Sequence, residues 1–238
     1  MKPIILDELQ RSRADKLPVA LVSEVVSGQQ FLVYSEMVGS SSIELSEIQL
    51  EEVRTLLSEA RSGFLSNTDE NLFVRSYTPK NRVIIIGAVH IAQYLADMAT
   101  AAGFEIIIVD PRRGFVSEQR FVEYQTLCEW PDNALADLNL DGRTAIVVLS
   151  HDPKIDDPAL RAALNSEVFY IGALGSIRTH GKRLERLSEF NESLGRISAP
   201  IGLKLGGRSP AEIAVSILAE IIQTLYRGTK QLSTGLKK

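Results

Sequence analysis

The sequence predicts an α/β protein: a Rossmann-like, doubly wound parallel sheet preceded by a small α+β N-terminal domain. Three observations carry this. From Arg82 onward, near-continuous apolar runs alternate with helical patterns, as they do when strands are buried on both faces of a parallel sheet. The first such run, "RVIIIG", passes through a glycine straight into a helix, as a dinucleotide-type βα unit does. Residues 1–78 have a different texture, with alternating strands around a single helix.

In the N-terminal part, "PVALVSEVVS" and "QFLVYSEMV" read as strands around the turn residues Ser27 and Gly28. "SEIQLEEVRTLLSEARSG" reads as a helix. Ser46 and Gln49 form a capping box, Leu50, Val53, Leu57 and Ala60 the apolar stripe, and Gly63 the stop. "NLFVRSY" is a further strand, and Thr78–Asn81 a linker. The domains are therefore expected at 1–78 and 79–238.

The second part begins with strand "RVIIIG" and helix "AVHIAQYLADMATAAG", closed by Gly103. Strand "EIIIVD", the loop "PRRGFVSEQR" and a shorter strand near "FVEYQTL" follow. Then come strand "TAIVVLS", helix "DPALRAALN", strand "VFYIG" and helix "RTHGKRLERLSEF". The segment "APIGLKLGGRSP" leads into a long helix, "AEIAVSILAEIIQTLY". Right-handed crossovers turn this order into a doubly wound sheet.

Bulk properties narrow the function classes. The chain has 238 residues, 45% hydrophobic and 24% charged, ordinary for a globular protein. Its net charge of −4 carries no signature of nucleic-acid binding. The single cysteine, Cys128, excludes an internal disulfide framework. The opening residues carry acids and lack a long apolar core, and no window approaches a membrane span. A cytoplasmic protein is expected, without membrane or nucleic-acid partners.

In an open parallel sheet, ligands bind beyond the carboxyl ends of the strands, where the strand order reverses. The three histidines, His90, His151 and His180, each closely follow a predicted strand, so all three are expected at that edge. A lone histidine in a loop is more often a cap or a surface residue; three at one edge are less easily explained that way. No C-x-x-C, H-x-x-x-H or acidic cluster accompanies them, so no metal centre is expected.

Anion-binding features gather at the same edge. "GALGS", Gly172 to Ser176 with Gly175 between, is a glycine-rich turn at a helix start, where free amides and the helix dipole favour a phosphate. Arg178, Lys182 and Arg186 follow at helical spacing with Arg183 beside them; the plain alternative is a solvated basic face. In "LGGRSPAE", Ser209, Pro210 and Glu212 make a helix start, and Gly206, Gly207 and Arg208 could admit an anion to the backbone. Asp110 stands where a ribose-binding acid would stand, and Arg112 or Arg113 could hold a phosphate.

The dinucleotide fingerprint G-x-G-x-x-G is incomplete. Gly87 holds the first position, Val89 the second and Ala92 the third. The second glycine lets the backbone approach a pyrophosphate, and valine methyls obstruct that approach. NAD(P) is accordingly the less favoured ligand.

Taken together, "VIIIGAVHIAQYLADMATAAGFEIIIVDPR", "WPDNAL", "AIVVLSHDPKIDDPALRAAL", "FYIGALGSIRTHGKRLERL" and "APIGLKLGGRSPAEIAVSILAEI" resemble the XdhC/CoxF family, accessory factors of xanthine dehydrogenase and related molybdenum hydroxylases. The likeness runs from about residue 80 to residue 226. It implies a protein that binds molybdenum cofactor (molybdopterin), supports its sulfuration by a cysteine desulfurase, and delivers it to the apo molybdenum hydroxylase. Such a protein has no turnover of its own and no catalytic residue; a homodimer is a plausible assembly.

Matched position by position, Gly87 and His90 fall in the family's G-x-x-H turn. Ser150, His151 and Asp152 fall in its T/S-H-D segment, and His180 in the G-S-x-x-x-H/A region. The family's G-S-S-P-R-like and S-G-G-C motifs are absent; "MVGSSSIELS" has only the serines. Cys128 precedes "EWPD", where a buried structural thiol is the expectation and a sulfur relay the alternative. The competing readings are an NAD(P)-dependent oxidoreductase, with His151 as proton donor, and a regulatory nucleotide-binding module.

Overall fold

The computed structural model describes residues 2–39, 44–66, 71–116 and 118–227. The chain separates into two compact units, Met1–Pro79 and Lys80–Lys238. The serines of "MVGSSSIELS" at 40–42 lie outside the described residues.

The first unit contains α1 (Pro3–Ala14), β1 (Val19–Glu24), β2 (Gln30–Val33), α2 (Glu47–Ser58), β3 (Gly63–Phe64) and β4 (Leu72–Tyr77). Its sheet has the order β2-β1-β4-β3, antiparallel throughout. Period-two alternation divides β1 between two cores. Val19 and Leu21 pack with Ile5 and Leu9 of α1, while Ala20 and Val22 pack with Val53 and Leu57 of α2. The Ser46–Gln49 capping box forms as expected. Helix α2 does not run on to Gly63. It closes with Ala60 at φ 53°, where Ala60 N–H meets Leu57 O and Arg61 N–H meets Leu56 O at 2.8 Å. That pairing is a Schellman motif, and Gly63 lies in β3 instead. Helix α1 is absent from the sequence-based expectation, because only Ile5, Leu9 and Ser12 face inward.

The second unit runs β5 (Arg82–Ile86), α3 (His90–Ala101), β6 (Glu105–Val109), α4 (Glu118–Phe121), β7 (Gln125–Leu127), α5 (Pro131–Asp137), β8 (Thr144–Val148), α6 (Pro153–Leu164), β9 (Tyr170–Ala173), α7 (Ile177–Arg186), β10 (Ile197–Ser198) and α8 (Pro210–Leu225). Its parallel sheet has the order β10-β9-β8-β5-β6-β7, the Rossmann order with its reversal between β5 and β8. Val83 and Ile85 face a core shared with α3 and α8; Ile84 and Ile86 face another shared with α5 and α6. Burial on both faces explains the unbroken apolar run. Gly103, at φ 92°, closes α3 with Phe104 N–H on Ala99 O at 3.0 Å.

Two boundaries differ from expectation. Helix α6 starts at Pro153, not Asp157, because the first of two Asp-Pro pairs makes the cap and Pro158 sits inside the helix. Helix α7 stops at Arg186, and 3-10 turns at Ser188–Phe190 and Leu194–Arg196 lead to the short β10. Among the described residues, no helix is long and apolar enough to cross a membrane, and no group of three His, Cys, Asp or Glu could hold a metal ion.

Candidate functional site

Ile86 of β5 pairs with both Val109 of β6 and Val148 of β8, and Val148 pairs with Ala173 of β9. These strands therefore end level, and the loops carrying Gly87, Asp110, Ser150 and Leu174 share one edge. By the rule for open parallel sheets, the reversal of strand order marks the space between the β5 and β8 exits as the ligand crevice.

Two buried carboxylates shape this edge. Asp110, fully buried, accepts the Ala88 N–H at 2.8 Å on Oδ2 and the Arg112 N–H at 2.9 Å on Oδ1. The Arg112 guanidinium adds Nε to Oδ1 at 2.8 Å and Nη2 to Oδ2 at 2.7 Å. Burial alone would raise this carboxyl, but the bonds from Arg112 and Ala88 outweigh it and hold Asp110 below the ordinary aspartate value. Asp110 thus ties the β5 turn to the β6 exit. Both oxygens are committed inside the protein, which counts against the ribose-binding role expected of Asp110. Arg112, its guanidinium 4.0 Å from the Phe115 ring centroid, is largely committed with it.

The second carboxylate is Asp156, in the first turns of α6. It accepts the Ser150 hydroxyl and a single contact from Arg183 Nη2 at 3.4 Å. Arg183 Nη2 also donates to Leu174 O at the β9 exit, 3.0 Å away. Asp156 and Arg183 are both 2% exposed. Burial pushes the Asp156 carboxyl up, against the lowering pull of Ser150 and Arg183. Sequence reasoning missed this pair: Arg183 reads as one more base beside a basic stripe. The available signal was its place four residues before Leu187, on the face that α7 turns inward.

Gly87 joins the two halves. Its φ is 101°, and a Cβ there would lie 2.8 Å from Ser150 N and 2.9 Å from Ser150 Cα. The first fingerprint glycine is thus required by the neighbouring strand exit. Val89, at the second fingerprint position, is the N-cap residue of α3; it offers no capping side chain and packs half-buried against the α3–α8 core. Helix α3 therefore starts with its first-turn amides uncapped by a side chain.

The three histidines do follow strand exits. His90 is the exposed first residue of α3, its ring centroid 6.2 Å from that of Tyr94. His151 is exposed and holds φ 62°, a left-handed conformation uncommon outside glycine, though His is among the residues enriched there. His180 is half-buried in α7, and burial together with Arg183 lowers its pKa. Arg178 and Lys182 are exposed on α7, and no ion pair to either is found among the described residues. Arg186 is held by Asp157, Nη2 to Oδ1 at 2.9 Å.

Several of the expected contact residues also have structural roles. Gly172 lies buried inside β9, where a Cβ would meet Ile201 Cδ1 at 2.5 Å and Tyr170 Oη at 2.6 Å, so it does not belong to the turn. Ser176 caps α7 by accepting the Thr179 N–H at 3.2 Å, and Gly175, at φ 141°, leaves room for Thr179. Asp152 caps α6 through Lys154 N–H at 2.9 Å. Gly206, at φ 84°, and Gly207, whose Cβ would meet Glu212 Cβ at 2.5 Å, shape the entry to α8. Arg208 N–H joins the Ser209–Glu212 capping box there. Cys128 follows β7 at the same edge and is exposed, which corrects the expectation of a buried thiol.

Comparison with known proteins agrees with this architecture. Residues 83–221 match a family model described as the XdhC Rossmann domain. A Bacillus subtilis protein, named as one of the probable subunits of xanthine dehydrogenase, is 33% identical over 66% of this chain and 47% of its own length. The Escherichia coli molybdenum cofactor insertion chaperone PaoD is 32% identical over 73% of this chain and 48% of its own. The chain thus spans about half the length of these two relatives. A solved Bacillus halodurans structure described as a xanthine dehydrogenase shares the fold, with a TM-score of 0.71 at 21% identity over 93% of this chain and 62% of that one.

Proposed function

The chain belongs to the XdhC family, and from that premise we propose that its Rossmann-like unit binds molybdenum cofactor at the carboxyl edge of the six-stranded sheet. It presents the cofactor for sulfuration by a cysteine desulfurase and passes it to an apo molybdenum hydroxylase of the xanthine dehydrogenase type. The observation that carries this reading is the crevice between β5 and β8, flanked by the exposed imidazoles of His90 and His151. The name of the Escherichia coli relative, an insertion chaperone for this cofactor, supports the same reading.

The donor set suits an anionic pterin. First-turn amides of α3 are free of a side-chain cap, and Arg178 and Lys182 supply positive charge. His90 and His151 would hydrogen-bond the pterin or an oxo group. Each charge-assisted bond contributes roughly 1.5–3 kcal/mol. The bond changes of sulfuration fall to the cysteine desulfurase, so binding, shielding and release are the whole chemistry asked of this chain.

An NAD(P)-dependent oxidoreductase is disfavoured by Val89 at the second fingerprint position and by the committed oxygens of Asp110. The test is anaerobic incubation with molybdenum cofactor, and separately with NAD and NADP, followed by gel filtration. Cofactor should co-elute with the protein, and Arg178→Ala together with Lys182→Ala should lower retention about tenfold or more without lowering stability. Saturable nucleotide binding with no cofactor retention would overturn the reading.

A further inference from the structure

Arg183 is 2% exposed and poorly satisfied. A guanidinium has five N–H donors. Among the described residues only Nη2 is bonded, to Leu174 O and Asp156; Nε and Nη1 are buried without a partner. His180 Nδ1, three residues earlier on α7, is also buried and unpartnered. On a helix, residues three apart share a face, so these nitrogens belong to one inward side. Leu174 at the β9 exit and Asp156 in α6 place the guanidinium between the first turns of α6 and α7, at the carboxyl edge.

We propose that Arg183 and His180 form an oxyanion subsite beneath the β9–α7 turn, taking a tetrahedral dianion of the phosphate class. The oxyanion accepts from Nη1 of Arg183, whose Nε–H lies on a different edge of the guanidinium, and leaves the Nη2 bonds to Leu174 and Asp156 in place. His180 adds an Nδ1–H donor. Gly175, at φ 141°, is the residue of the turn above with the fewest steric limits on its backbone angles, and a change there would admit the ligand. Asp156 opposes an incoming anion, and burial pushes its carboxyl up, toward the neutral form that tolerates one. The subsite rests on the cofactor reading only for its natural occupant, the phosphate monoester of the pterin; free inorganic phosphate has the same chemistry.

The test is calorimetric titration of the full chain with inorganic phosphate, beside retention of molybdenum cofactor with and without phosphate as competitor. Arg183→Lys, which keeps charge but cannot hold Leu174 O and Asp156 while placing a further donor where Nη1 stands, should weaken phosphate binding about tenfold or more, and His180→Ala severalfold. Asp156→Asn, which removes the opposing charge, should tighten phosphate binding; a merely structural role for the cluster would not. Phosphate should displace the cofactor from the unsubstituted protein. Absence of phosphate binding at millimolar concentration, or equal binding by Arg183→Lys, overturns the subsite. If Arg183→Lys fails to fold, His180→Ala decides: a severalfold loss supports the subsite and no change overturns it. Cofactor retention indifferent to phosphate and to these substitutions would sink the subsite and spare the cofactor reading. Arg183-dependent phosphate binding without cofactor retention would do the reverse.

Discussion

Replacing Gly87 by alanine tests the packing that creates the crevice. The glycine sits at φ 101°, and the added Cβ would come within 2.8 Å of Ser150 N and 2.9 Å of its Cα. A left-handed conformation costs an L residue about 1–2 kcal/mol. Pushing a methyl into a packed backbone costs typically about 1–3 kcal/mol more, because a strand exit cannot rotate aside as a side chain can. The sum is about 2–5 kcal/mol, a large part of the roughly 5–15 kcal/mol that keeps a domain folded. For a unit of this size that lowers the thermal midpoint by about 5–20 °C. The control is Gly114→Ala, beyond β6 at the same edge, where a Cβ meets nothing within 4 Å and φ is not positive. It should stay within about 0.5 kcal/mol of the parent. Urea denaturation followed by far-UV circular dichroism reads both. If Gly87→Ala is no less stable than Gly114→Ala, the close approach of the β5 and β8 exits is not what demands glycine, and the account of the crevice wall fails.

Other substitutions probe neighbouring parts. Gly181 lies exposed in the middle of α7 with open space where a Cβ would be, so Gly181→Ala should stabilise the protein by up to about 1 kcal/mol, read as a higher midpoint in urea. Asp110→Asn should cost about 3 kcal/mol at pH 7, the low end for a buried pair because the Arg112 side chain is 34% exposed. Because the folded protein holds Asp110 below its ordinary pKa, that stabilisation is present above the unfolded value and lost as pH falls through the lowered folded one. The parent and Asp110→Asn should therefore converge in stability as pH drops below about 4; a gap that stays constant in acid would contradict the clamp.

Much of the fold was legible because its signals are local or periodic. The run Val83–Ile86 could only be a doubly covered strand, the Ser46–Gln49 and Ser209–Glu212 boxes announced two helix starts, and Gly103 a helix end. What stayed hidden depends on partners distant in sequence. Helix α1 shows few inward residues until its sheet is present, and β10 is only two residues long. Choosing between Asp152-Pro153 and Asp157-Pro158 as the α6 start needed the geometry of the Ser150–Asp152 turn. The same limit applies at the site. Strand exits put His90, His151 and the Gly175 turn at one edge, as parallel topology requires. The buried roles of Asp110 and Asp156 required knowing which loops lie beside them, and Gly172 reads as a turn residue until Ile201 is seen packed over it.

The central claim is that the crevice between β5 and β8 holds the molybdenum cofactor. Anomalous diffraction at the molybdenum absorption edge, from crystals of the cofactor-loaded protein, locates the metal directly. One molybdenum peak is expected at the carboxyl edge of the six-stranded sheet, between the loops of His90 and His151. A peak at the amino edge of that sheet, or within the N-terminal unit, would contradict it.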